Sequence, residues 1–86
     1  MKVTLTEEAL NDLGYWIATG NTRTLKKIHR LITDIVRDPH DPGIGKTERL
    51  KNDLAGYSSR RITQEDRLVY RVTSAELIIL QMRGHY

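Results

Sequence analysis

The chain has 86 residues, 38% hydrophobic and 29% charged, with a formal net charge of +3 and no cysteine. This length holds one modest core and a single expected domain, residues 1–86. The missing cysteine excludes a disulfide frame or a thiolate metal site, and no apolar run approaches the roughly 20 residues of a membrane span. The opening Met-Lys-Val-Thr-Leu-Thr-Glu-Glu lacks the apolar core of a secretory signal, so the expected location is cytoplasmic.

Lys2 to Leu5 reads as a first strand, with Val3 and Leu5 on one face. Thr4 or Thr6 can cap the helix that follows, and Thr4 with Glu7 fits a capping box. Ala9, Leu10, Leu13, Trp16 and Ile17 recur at helical spacing, and Gly20-Asn21 stops that helix. A second amphipathic helix runs from Asn21 or Thr22 to about Arg37, where Pro39 ends it. Its stripe is Leu25, Ile28, Ile32, Ile35 and Val36, and His29 reads as an ordinary side chain with no partner at metal spacing. Residues 38 to 47 form a loop dense in Pro and Gly. Its Gly43-Ile44-Gly45-Lys46-Thr47 superficially suggests a phosphate-binding loop. The pattern fails, because His40 stands where the first glycine is required and a helix, not a strand, precedes it.

Tyr57 to Tyr70 reads as a hairpin, with Thr63-Gln64-Glu65-Asp66 as its turn. Leu68, Tyr70 and Val72 share one face with Ile62, so Ser59, Arg61 and Arg67 fall on the other. The hairpin therefore offers Arg61 and Arg67 as two forked cations on one side, away from the core. A further turn at Thr73–Glu76 leads to Leu77–Met82, apolar on both faces and so a central strand. The chain then closes with Arg83-Gly84-His85-Tyr86, Arg83 and His85 sharing a face by parity.

Charge is uneven. Residues 1–43 carry six Lys/Arg and six Asp/Glu, whereas residues 44–86 carry eight against five. The excess favours a polyanion at the C-terminal half, RNA or DNA before an acidic membrane. That half also holds Glu48 between Lys46, Arg49 and Lys51, the hairpin arginines, and Arg83, His85 and Tyr86. RNA cleavage needs no metal when the 2′-hydroxyl is the nucleophile. It needs a base, a cation for the charge growing on phosphorus and an acid for the leaving oxygen. Glu48, Arg67 and His85 are the right types, and Tyr86 offers a ring for a base. The same residues also fit a plain solvated surface, with Glu48 pairing Lys51 and His85-Tyr86 closing a sheet edge.

The order of motifs resembles the YoeB (Txe) toxins of the RelE/ParE superfamily. Gly43-Ile44-Gly45-Lys46-x-Glu48-x-Leu50-Lys51 is similar to that family's GIGKPEPLK segment. Gly56-Tyr57-x-Ser59-Arg60-Arg61-Ile62-Thr63-x-Glu65-x-Arg67-Leu68-Val69-Tyr70 is similar to its core of Gly, then Phe, Tyr or Ala, then W-SRRI-x-x-E-x-RLVY, and His85-Tyr86 to its C-terminal His-Tyr. Tyr15-Trp16, Lys26-Lys27-Ile28 and Arg37-Asp38-Pro39 resemble family positions as well.

The resemblance implies an α+β, microbial-RNase-like fold in the order β-α-α-β-β-β, two helices packed across an antiparallel twisted sheet. It implies a ribosome-dependent mRNA endonuclease that leaves a 2′,3′-cyclic phosphate, uses no cofactor and is neutralised by a YefM/Phd-type antitoxin. Glu48 would be the base, Arg67 the phosphate-stabilising cation, His85 the acid and Tyr86 a substrate-positioning residue. Lys46, Lys51, Arg61, Glu65 and Arg83 would support the electrostatics or touch RNA. Operator DNA would be bound only by the toxin–antitoxin complex, and a homodimer is open. An alternative is a weakly catalytic module acting mainly through that repressor complex. A gyrase poison of the ParE kind is disfavoured, having no use for an acid–base set. Departures from the family are Thr47 and Arg49 for prolines beside Glu48, Ser58 for a tryptophan and Gly84 for a tyrosine. Gly84 is expected to loosen the C-terminus.

Overall fold

The computed structural model describes residues 1–40, 43, 45 and 47–84. Lys2–Leu5 forms β1, Glu7–Ala18 α1 and Thr22–Arg37 α2. Glu48–Arg49 forms a two-residue β2, followed by a 3-10 turn at Asn52–Leu54. Ser58–Arg61 is β3, Arg67–Val72 β4 and Glu76–Gln81 β5.

The helix starts are local chemistry. Thr6 caps α1, its hydroxyl accepting the Ala9 N–H at 3.1 Å. The Thr4 capping box does not form: Thr4 lies in β1 and its hydroxyl donates to Glu76 across the sheet at 2.6 Å. Asn21 caps α2 through the Thr24 N–H at 3.0 Å. Gly20, at φ 67°, ends α1 in a conformation that costs a side-chain-bearing residue more.

One five-stranded sheet results, in the order β1-β5-β4-β3-β2. Three of its pairings are antiparallel, but β1 runs parallel to β5, so the sheet is mixed where the sequence suggested an antiparallel one. The reason is connectivity. A tight turn forces its two strands to run antiparallel, whereas β1 and β5 are separated by both helices and three strands and are free to run alike. Register slips by one residue between Val69 and Tyr70, which pair with Gln81 and Ile79.

Both helices lie on one sheet face, over Leu68, Tyr70, Leu77, Ile79 and Met82. From α2 the core takes Ile28, Leu31 and Ile35, each at most 3% exposed. Leu31, absent from the predicted stripe, is buried, while Leu25, Ile32 and Val36 are only partly so. On α1, Ala9 and Trp16 are buried with Leu13 against them, but Leu10 and Ile17 are 59% and 60% exposed. A helix crossing a sheet buries one stripe. Ala9, Leu13 and Trp16 occupy it, and Leu10 and Ile17 lie about 100° further round. The Trp16 indole N–H donates to the Met82 carbonyl at 3.0 Å, tying α1 to the end of β5. Among the described residues no helix is long and apolar enough to cross a membrane.

Candidate active site

Cross-strand partners share a face, so the register sorts the charged residues directly. Glu48 faces Ser59, Ser59 faces Val69, and Arg61 faces Arg67. These residues lie on the face away from the helices. Arg49, Ser58, Arg60, Leu68 and Tyr70 lie on the helix face.

Arg67 occupies the middle of the open face, yet it is only 4% exposed, not the solvated arginine that strand alternation suggested. Its Nε donates to the Ser59 hydroxyl at 2.8 Å and its Nη2 to the Ser59 carbonyl at 3.3 Å. Two bonds to one neighbour fix the plane of the guanidinium, and its charge cannot be shed by deprotonation. The same Nη2 lies 4.0 Å from Glu48 Oε1. The Glu48 side chain is 57% exposed, so a solvent-accessible carboxylate stands at the rim of an immobilised cation.

Glu48 is set there by its pairing with Ser59, and Gly45 and Gly43 ahead of it pack closely on the fold. The Gly45 carbonyl accepts the Arg61 N–H, and Gly45, at φ 90°, has space for no Cβ clear of Leu31. A Cβ on Gly43 would stand 2.0 Å from Asp34 Oδ2 and 2.6 Å from Arg60 Nη1. The two glycines thus serve close backbone approach to a buried ion pair, not phosphate cradling. In that pair Arg60, wholly buried, donates to Asp34 Oδ2 at 2.6 Å and to the Tyr70 hydroxyl at 3.1 Å. Asp34 is also bonded to Arg37. The sequence reading missed Arg60, although parity with Ile62 marks it as facing the core.

The supporting residues are more dispersed. Arg61 is partly buried and, with Lys27, Thr63 and Gln64, lines a hollow of about 430 Å³ beside Gly45. Lys51 is exposed at the 3-10 turn, and Glu65 is exposed on the hairpin turn. Arg83 stacks on the Tyr15 ring with its guanidinium carbon 3.5 Å from the centroid, which draws it towards α1. Ser58 opens onto a separate hollow of about 450 Å³ on the helix face, lined also by Pro39, Arg49, Leu50, Tyr57 and Tyr70. Lys46, His85 and Tyr86 lie outside the described residues. Among the described residues no three His, Asp or Glu side chains gather to hold a metal.

The backbone just before His85 is held at every residue. Met82 N–H donates to Asp12 Oδ2 at 2.9 Å, and the Arg83 carbonyl accepts from Gln81 at 3.3 Å. Gly84 donates its N–H to Asp66 Oδ1 at 2.8 Å and accepts the Arg67 N–H at 3.1 Å. Its φ of 76° suits glycine. The residue expected to loosen the C-terminus is therefore bonded on both sides.

Residues 5–86 match the model of the YoeB-like toxin of bacterial type II toxin–antitoxin systems. Toxin YoeB of Escherichia coli (strain K12) is 49% identical over 86 residues, covering all of both chains. The YoeB/ParE toxin from Agrobacterium tumefaciens superposes with a TM-score of 0.93 at 44% identity, also covering both chains in full. Staphylococcus aureus YoeB, solved as a dimer and in a heterotetrameric complex with YefM, gives TM-scores of 0.90 and 0.89 at 38% identity, covering all of this chain and 98% of that one. On full-length similarity in sequence and in structure, this chain belongs to the YoeB-like toxin family of bacterial type II toxin–antitoxin systems.

Proposed function

We propose that this chain is an mRNA endoribonuclease acting in the ribosomal A site, with acid–base groups and a fixed cation doing the chemistry. The observation that carries this reading is Arg67: a buried guanidinium, locked by Ser59, at the rim of which stands the exposed carboxylate of Glu48.

In this mechanism the Glu48 carboxylate takes the proton of the RNA 2′-hydroxyl. The freed 2′-oxygen attacks the adjacent phosphorus, forming a new P–O bond as the bond to the 5′-oxygen breaks. Arg67 offsets the charge that grows on the non-bridging oxygens, and being already oriented it needs no reorganisation as the charge develops. His85 gives a proton to the departing 5′-oxygen, leaving a 2′,3′-cyclic phosphate and a 5′-hydroxyl. Tyr86 positions the substrate, and Lys46, Lys51, Arg61, Glu65 and Arg83 tune the field or touch RNA. The parts assigned to His85, Tyr86 and Lys46 rest on their motif positions. A site with so exposed a carboxylate on so small a chain gains from having its substrate held in place, which is what the ribosome would supply.

The S. aureus complex with YefM supports a YefM/Phd-type antitoxin as partner, and the S. aureus dimer supports self-association of the free toxin. The toxin–antitoxin complex, not the toxin alone, would bind operator DNA, and the setting would be the cytoplasm. The test is single-turnover cleavage on purified programmed ribosomes, wild type beside Glu48→Ala, Arg67→Ala and His85→Ala. Each variant is expected to lose about 10²- to 10⁴-fold. A folded wild-type protein that cleaves nothing would instead favour a module acting through its antitoxin complex.

A further inference from the structure

The hairpin turn does more than reverse the chain. Asp66 is held from three sides: its carbonyl accepts the Ile62 and Thr63 N–H groups at 2.9 and 3.2 Å, and its Oδ2 accepts the Thr63 hydroxyl at 2.6 Å. Only Oδ1 is directed across to the C-terminal strand, where it accepts the Gly84 N–H at 2.8 Å. One residue on, the Arg67 N–H donates to the Gly84 carbonyl at 3.1 Å. Gly84 is thus gripped on both peptide groups, by the fixed cation's own backbone and by the residue before it. The segment behind it is anchored independently, by Asp12 and Trp16 of α1 at Met82 and by Tyr15 under Arg83.

We infer that Asp66 is a positioning residue: by holding the Gly84 amide it fixes, next to Arg67, the residue to which His85 is joined. The inference rests on the ribonuclease reading above. Two observations favour a role beyond turn stability. The carboxylate divides its oxygens between the turn and the tail, whereas Thr63 alone would satisfy a turn. The tail residue it holds also accepts the Arg67 N–H through its carbonyl, so the contact ties the tail to the fixed cation as well as to the turn.

The step Asp66 serves is proton delivery from His85 to the 5′-oxygen as the P–O5′ bond breaks. That step can be removed chemically. In an mRNA with sulfur in place of the scissile 5′-oxygen, the leaving thiolate departs without a proton. Asp66→Ala is expected to slow single-turnover cleavage of ordinary mRNA by about tenfold to a hundredfold, the loss typical of a misplaced group. With the sulfur-containing mRNA it is expected to slow cleavage less than about threefold, because no acid is needed. Asp66→Asn keeps an oxygen for the Gly84 amide and is expected to stay within about threefold of wild type on both. Should Asp66→Ala fail to fold, Thr63→Val, which frees Oδ2 and leaves Oδ1, is expected to give the same substrate-dependent pattern at smaller amplitude. Equal slowing on both RNAs, or none on either, overturns the inference. If the wild-type protein cleaves neither RNA, the ribonuclease reading fails and Gly84 amide exchange decides the latch alone. Exchange faster by about tenfold in Asp66→Ala but not in Asp66→Asn upholds the latch, and unchanged exchange overturns it.

Discussion

Ser59→Ala isolates what the fixed cation depends on. The Ser59 hydroxyl is wholly buried and accepts from Arg67 Nε at 2.8 Å, and the substitution removes only that oxygen. A hydrogen bond to a charged group contributes about 1.5–3 kcal/mol. For a chain of this size each kcal/mol moves the melting temperature by about 4–8 °C, so a fall of about 6–24 °C is expected. The backbone carbonyl of Ser59 still accepts from Nη2, so the guanidinium keeps its neighbourhood but can pivot. If the same energy is lost from the transition state, cleavage falls about tenfold to a hundredfold at one decade per 1.36 kcal/mol. Thermal unfolding followed by circular dichroism reads the first quantity, and single-turnover cleavage on programmed ribosomes reads the second. A double-mutant cycle with Arg67→Met apportions both, since the two losses must not add when they arise from one bond. A Ser59→Ala protein that melts within about 2 °C of wild type and cleaves within about twofold would refute the claim that Ser59 fixes Arg67.

Two further outcomes concern the scaffold. Asp34→Ala removes a carboxylate bonded to the wholly buried Arg60 and is expected to cost about 3–5 kcal/mol in urea denaturation; a cost under about 1 kcal/mol would mean that this pair contributes little to the fold. The glycines should behave oppositely. Gly14→Ala, inside α1 with nothing within 4 Å of the new Cβ, is expected to stabilise by about 0.5–1 kcal/mol, whereas Gly43→Ala, at φ 56° and directed into Asp34, is expected to destabilise by about 1–3 kcal/mol. Equal effects at the two positions would contradict the close approach described at Gly43.

Much of this architecture is legible in local sequence. The span of β1, the two helices and their stops, and the hairpin about residues 63–66 follow from capping, breaking and alternation, each settled within a few residues. What alternation cannot say is which element lies across a face. It placed Arg67 opposite the core but not against Ser59, a cross-strand relation set by register. It likewise could not show that β1 would run parallel to β5, nor that Glu48–Arg49 would add a two-residue edge strand. Arg60 was legible in principle, because it shares parity with Ile62, but a buried arginine is credible only once Asp34 and Tyr70 are seen to meet it. Asp66 was legible only as a turn residue, since its contact with Gly84 spans 18 residues of chain. At Gly84 composition misled: a glycine reads as slack, yet here its N–H is held by the Asp66 carboxylate and its carbonyl by the Arg67 N–H.

The central claim is that the RNA supplies its own nucleophile to a site built from Glu48 and a fixed Arg67. The most direct test is the chemistry of the cut ends. Wild-type protein would be mixed with ribosomes programmed with ordinary mRNA, and with the same mRNA carrying a single 2′-deoxynucleotide 5′ to the scissile phosphate. Fragments ending in a 2′,3′-cyclic phosphate and a 5′-hydroxyl, with cleavage abolished by the single deoxy substitution, are the expected result. Cleavage that tolerates the deoxy substitution, or that leaves a 5′-phosphate, would mean that water is the nucleophile and would contradict the mechanism.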